Sequence, residues 1–330
     1  MSHEIENNMM FSVRETPWHK QGTVLANAPT TEEAILSAKL DWEVRKVPNY
    51  IRVNISGVET YHETESRSIV RMSDTGPIIL GTVSGRYEPV QNREAFKVFD
   101  RIMADNGYTY ETAGAVKNGK KVWILAKAPE GATIGDDRIN QYVAIVTSHD
   151  GTMNLRLLPT AVRIVCNNTM TWALQAGEND GFSIRHTGDI REKLEFATNV
   201  LRSTQMSFAR ATEIFNHMND MRIEPMQAIK YWERVIPFLR KRGDSNAWKT
   251  AFDNIAGAFM YGRGNRGETL WDAYNALTEW TDHIRNTASH RVLDYAIFGE
   301  GGRIKRDGVN VATEIIADQI FSGPAMVGVN

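Results

Sequence analysis

Midway along the chain the hydrophobic period changes from two to about 3.6 residues, and it does not change back. From Asp41 to Cys166, stretches such as "WEVRKVPNYIRVNI", "ESRSIVRM", "IILGTVS" and "KKVWILAKA" alternate or cluster β-forming residues between turn signals. After Asn167 the apolar residues recur at helical spacing, with long helices expected near 189–219, 225–242, 246–260, 269–286 and 310–320. The expected fold is therefore α+β: N-terminal antiparallel β-hairpins with packed helices, followed by an all-α C-terminal region. Three stretches follow from this: residues 1–29 as an arm and loop, 30–180 as an α+β domain with two main hairpins, and 181–330 as a helical domain. The boundary is the polar, glycine-bearing stretch Gly177–Gly188.

Local signals fix several elements inside the first half. Thr30 or Thr31 followed by Glu33 opens the helix "TEEAILSAKL" as a capping box. Asn92 is the expected N-cap of "NREAFKVFDRIMADNG", with Gly107 just past its end. The Asn118-Gly119 pair between β-rich arms is a strong hairpin signal, and Asp150-Gly151 marks a second hairpin. Ser56-Gly57 and Asp74-Thr75-Gly76 read as further turns. The last matches the tripeptide of aspartic proteases, but the chain has no second Asp-Thr/Ser-Gly to share a proton with it.

Charge and cysteine content narrow the function classes. The formal net charge is −2, so binding to nucleic acid through bulk charge is excluded and would need a local basic groove. The single cysteine, Cys166, excludes an internal disulfide. No run of about 18 apolar residues is present, and the first residues lack a basic start with an apolar stretch, so neither a membrane span nor a secretory signal is expected. A cytoplasmic location is the default.

Within "TAVRIVCNNTM", Arg163 stands among strand-forming Val162, Ile164 and Val165, where a cation must find a carboxylate, reach solvent or face an anion. Arg156 and Arg163 would face opposite sides of an uninterrupted strand, but Pro159 breaks the ladder between them. One reading has Arg156 and Arg163 line a phosphate groove with Lys120 and Lys121, and Asn167 adding amide contacts where strand meets helix. The other pairs Arg163 with a carboxylate such as Glu111. In "GRYEPVQN", turn geometry explains Gly85, Pro89 and Asn92 but not Arg86 and Tyr87, which suit a stacked base with a phosphate contact, or a subunit interface. Trp18 and His19, in "TPWHK", could form a stacking lip or an arm-docking contact.

Two further patterns are weaker. "GRGNRG" fits G-x-G-x-x-G, yet no strand precedes it, so it reads as an inter-helix loop whose Arg263 and Arg266 could bind an anion. Glu279, Asp282 and His283 share a helical face, which also describes an ordinary solvated face. No metal site, cofactor or catalytic residue is expected, since no ligand spacing and no nucleophile–base pattern is present.

Taken together, "TPWHKQGTVL", "GRYEPVQNREAF", "YETAGAVKNGKKVWILAK", "SHDGTMNLRLLPTAVRIVCNNTM" and "ETLWDAYNALTEWTDH" resemble, in order and spacing, the phage/plasmid-like protein family, over roughly Met10 to Gly299. The resemblance implies a setting in phage or mobile-element DNA biology and carries over no catalytic residues. Hairpins followed by a packed helix are also similar, at the level of fold alone, to Rad52-like single-strand annealing proteins. The resulting expectation is an oligomeric single-stranded-DNA annealing or recombination protein that needs no nucleotide hydrolysis, as no P-loop is present. The alternatives are a protein-binding module that redirects a host factor and, third, a metal-dependent hydrolase.

Overall fold

The computed structural model describes residues 5, 8–14, 21–73, 75–163, 168–171, 182–187, 200–240, 246–285 and 300–322. In chain order the elements begin with β1 (Met10–Val13), β2 (Thr23–Leu25), α1 (Thr31–Ser37), β3 (Val44–Ile55), β4 (Val58–Ser73), β5 (Gly76–Ser84) and α2 (Asn92–Asn106). There follow β6 (Thr109–Val116), β7 (Lys121–Lys127), β8 (Ala132–Ile134), β9 (Asp137–Ser148), β10 (Leu155–Arg163), β11 (Asn168–Thr171) and β12 (Phe182–Ile184). The rest is helical: α3 (Val200–Asp220), α4 (Pro225–Val235), α5 (Pro237–Arg240), α6 (Asn246–Tyr261), α7 (Leu270–Glu279) and α8 (Glu300–Ser322). The protein is thus α+β, with N-terminal sheets carrying helices and a largely helical C-terminal region. Among the described residues no helix is long and apolar enough to cross a membrane.

The chain divides into two compact units. The first comprises residues 1–129, 142–158 and 174–204, the second residues 130–141, 159–173 and 205–330. In the first unit one sheet runs β10–β9–β7–β6–β1–β2, with β12 against β10. All its pairings given in register are antiparallel except β1 with β2. The β6–β7 hairpin turns through Lys117–Gly119, where Asn118 (φ 58°) and Gly119 (φ 98°) adopt the left-handed backbone that an Asn-Gly pair tolerates. A Cβ on Gly119 would also fall 2.9 Å from the Trp42 ring, so glycine is required there twice over. α1 and α2 pack on this sheet: Phe96 and Phe99 meet Tyr110, and Thr31 and Tyr110 both hydrogen-bond Asp100.

The capping box expected at Thr30 forms, with the Glu33 carboxylate accepting from the Thr30 N–H at 2.8 Å. The cap expected at Asn92 does not. α2 is capped at Gln91, whose N–H donates to the Glu94 carboxylate at 3.0 Å, and the Asn92 side chain is buried and used elsewhere. A second sheet in this unit, β3–β4–β5, is wholly antiparallel. Its β3–β4 turn is the two-residue Ser56-Gly57, both at positive φ as a hairpin turn of this length demands. Val44, Ile69, Leu80, Val83 and Tyr87 make its core.

In the second unit β8 pairs with the start of β9 and β11 with the end of β10, beside α3–α8. Aromatics fill the helical core. Phe215 packs on Trp271 and Tyr274, and Trp232 meets Phe259 edge-on while its indole N–H donates to Ala273 O at 3.0 Å. α7 is followed by a π-helical turn, Trp280–Ile284.

Candidate functional site

A polar node of the first unit lies where "GRYEPVQN", the β6–β7 turn and the β9–β10 tip meet. Lys46 Nζ donates to Gly85 O at 3.1 Å and Tyr87 O at 2.9 Å and pairs with the Glu88 carboxylate at 2.7 Å. On the other side Glu88 N–H donates to His186 O at 2.8 Å. Gln91 mimics a strand partner, exchanging both side-chain hydrogen bonds with the Val44 backbone at 3.0 Å. The turn is therefore held on both sides, and Arg86 projects from it exposed.

Beneath it sit two buried histidines. His149 is fully buried, and Asn92 fixes its tautomer. Because Asn92 Nδ2 donates to Leu40 O at 3.0 Å, Asn92 Oδ1 must be the atom facing His149 Nε2 at 3.1 Å, so Nε2 carries the proton. His149 Nδ1 and the edge-on Trp42 Nε1 have no hydrogen-bond partner among the described residues. Burial, reinforced by nearby His186 and only partly opposed by Asp150, holds the His149 pKa down to about 3, so the ring is neutral at physiological pH. Burial also lowers the pKa of His186, whose ring stacks on Tyr87 at 4.8 Å. Arg71 lies over Trp42 at 5.2 Å and donates from Nε to Asn118 O at 2.7 Å, tying the hairpin turn to the same node.

Of the residues singled out from sequence, the structure brings Tyr87, Lys120 and Lys121 to Ser148–His149, with Arg86 exposed next to Tyr87 in the chain. Tyr87 Oη donates to Ser148 O at 2.8 Å, His149 N–H donates to Lys120 O at 2.7 Å, and Lys121 stands opposite Ser148 in the ladder. Lys120 and Lys121 are half-buried, as is Lys117 on the same turn. The role expected of Tyr87 needs correction: the residue is buried, with one ring face on His186, so it offers no free face for a base and instead anchors the turn. Burial, with Asp150 nearby, raises its phenol pKa, consistent with a permanent donor.

Arg156 is half-buried on β10 opposite Ser183, between buried Leu155 and Leu157. Arg163, in the second unit, pairs through its backbone with Asn168, and Glu111, considered as its partner, binds Arg14 at 3.0 Å. Asn167, Trp18 and His19 lie outside the described residues.

The second unit holds a cavity of about 460 Å³ lined by Asp136, Asp137, Asp220, Glu268 and Asp272, with Arg222 and Arg266. "GRGNRG" is indeed the loop between α6 and α7, but the anion expected at Arg266 meets a carboxylate wall. Arg266 pairs with Asp136 at 2.9 Å and Arg222 with Glu268 at 3.0 Å, while Arg263 is exposed. Two of the remaining acids have structural duties. Asp272 accepts from the Glu268 and Thr269 N–H groups to cap α7, and Asp137 accepts from Trp271 Nε1 at 2.8 Å. Among the described residues no three His, Cys, Asp or Glu side chains converge to hold a metal.

Sequence reasoning missed a buried ion pair here. Asp282, read as part of a solvated face, binds Lys305 Nζ at 2.7 Å, and the lysine side chain is 0% exposed.

The family described as "Domain of unknown function (DUF932)" matches residues 79–298, well over half of the chain. The chain belongs to this family. No curated protein and no solved structure matches it. The DUF932 segment opens within β5 and contains Arg86, Tyr87, Lys120, Lys121, both buried histidines and the carboxylate-lined cavity, but not the β3–β4 hairpin.

Proposed function

We propose that this protein binds single-stranded DNA in phage or mobile-element biology, as an annealing or recombination protein working in the host cytoplasm without nucleotide hydrolysis. The observation that carries the reading is the set of cations, Arg86, Lys120 and Lys121 with Lys117, on backbone that is fixed around Ser148–His149 by Lys46, Tyr87 and His186. Cations on rigid backbone hold a phosphate chain without ordering a loop first, and they make the binding salt-dependent and indifferent to sequence. The neutral histidines beneath them support the tip without adding or removing charge. Annealing of complementary fluorescent strands, measured across a salt series with no nucleotide added, tests this. The expected result is acceleration over the spontaneous rate that fades as salt rises. No binding at low salt would end the reading.

A second reading, a module that binds a host protein, is favoured by one observation: the exposed apolar side chains of the β3–β4 hairpin. It predicts association that is insensitive to salt and to DNA.

A further inference from the structure

Two buried nitrogens of the first unit meet no hydrogen-bonding group among the described residues, and they are complementary. They are His149 Nδ1 and Trp42 Nε1. The Asn92 contact puts the His149 proton on Nε2, so Nδ1 presents a lone pair and accepts. Trp42 Nε1 can only donate. The two rings are in edge contact, with centroids 5.4 Å apart and planes inclined at 69°.

Neither nitrogen can turn to solvent. His149 is 0% exposed and is held at both ends, its ring by Asn92 and its backbone N–H by Lys120 O at 2.7 Å. Arg71 covers the Trp42 ring face, and Gly119 closes the edge that bears Nε1, where a Cβ would fall 2.9 Å from Cζ2. In the unfolded chain both nitrogens bond to water, so burial without a partner costs each of them a hydrogen bond.

We propose that one ordered water molecule is bound between these rings, accepting from Trp42 Nε1 and donating to His149 Nδ1. Ordering a single water costs less than leaving two buried polar groups unmet, and two partners suffice for a buried water. The donor set selects the occupant. A metal ion would find one lone pair and an indole N–H that cannot coordinate, whereas water accepts and donates at once. Burial keeps the His149 ring neutral, which preserves the lone pair the water needs. The water also completes a chain in which every donor points the same way. It runs from Trp42 Nε1 through water to His149 Nδ1, from His149 Nε2 to Asn92 Oδ1, and from Asn92 Nδ2 to Leu40 O. The chain begins and ends two residues apart, so it closes the segment before β3 onto the β9–β10 tip, and each bond polarises the next.

A crystal structure that resolves ordered water, with NMR of the ¹⁵N-labelled full chain, tests this. The expected result is one density peak about 2.7–3.2 Å from both nitrogens. In solution Nε2 of His149 should carry the proton and Nδ1 none, and the Trp42 indole N–H should show cross-relaxation with a long-lived water. No peak between the rings, a peak that reaches only one nitrogen, or a proton on Nδ1 would each overturn the proposal. An indole N–H aimed at the imidazole face would also overturn it, and would assign the pair to a direct N–H···π contact. None of these outcomes depends on DNA binding, so failure of the proposed function leaves the water site standing.

Discussion

Two buried polar groups, one in each unit, are accommodated by opposite means. The first unit keeps His149 neutral, its tautomer fixed by Asn92 and its ring packed against Trp42. The second buries a full ion pair, Lys305 with Asp282. The surroundings differ in balance as well: Lys120, Lys121 and Asp150 stand at the β9–β10 tip of one unit, and five carboxylates with Arg222 and Arg266 line the cavity of the other. A net charge of −2 is thus the sum of locally opposed regions, and it hides the feature most relevant to partner choice. The contrast also teaches that each node fails differently: an ion pair is lost when one partner is removed, a neutral histidine when protons are supplied.

The largest expected effect tests the ionic node. Lys305→Met removes the buried ammonium that faces the Asp282 carboxylate and should cost about 3–5 kcal/mol in urea unfolding, while adding Asp282→Leu should recover most of it. An equal loss in single and double variants would show that packing, and not charge, governs this end of α8.

The neutral node should respond to acid instead. The folded-state pKa of His149 is depressed from 6.5 to about 3, so its contribution is fully present above pH 6.5. Below that the unfolded chain takes up the proton first, and stability falls as pH drops through the window from 6.5 to 3. His186 shifts in the same direction. Denaturant unfolding at about pH 5 should give a stability lower than at about pH 7.5 by on the order of 1–2 kcal/mol. Equal stabilities would contradict a buried neutral ring. A smaller effect is expected of Gly119→Ala, which puts a side chain at positive φ against Trp42. It should cost about 1–2 kcal/mol in the same unfolding assay, and no cost would mean the turn can relax away from the node.

How much of this was legible in the sequence follows from what each residue does. The Thr30 capping box, the Ser56-Gly57 and Asn118-Gly119 turns and the switch of period were legible because local backbone chemistry decides them. α8 was legible only in part: a helix was expected near 310–320, whereas it runs from Glu300 to Ser322. Gly301, Gly302 and Gly308 mask its start, each costing about 1 kcal/mol of helix propensity. Gly308 is nonetheless tightly packed, because a Cβ there would come within 3.1 Å of the Tyr231 hydroxyl and the Tyr274 ring, a tertiary fact that no local pattern carries. The burial of Lys305 was hidden for the same reason.

At the candidate site, Arg86 and Tyr87 could be singled out as residues that turn geometry leaves unexplained, and Lys120 and Lys121 as cations beside the Asn118-Gly119 turn. The true use of Tyr87 depends on His186, nearly a hundred residues away in a stretch that read as polar boundary. His149 adjoins the expected Asp150-Gly151 turn, and its burial under Trp42 and Asn92 comes from other elements that no local pattern reveals.

The central claim is that the cations around Ser148–His149 contact phosphate. Its most direct test is the affinity for a fluorescent single strand across a salt series, comparing wild type with Arg86→Ala/Lys120→Ala. A wild-type affinity that falls steeply with salt, and a double variant that binds more weakly with a log–log slope shallower by about 1.4, is the predicted result. Wild-type binding with the same slope in the variant, or no salt-dependent binding at all, would contradict it.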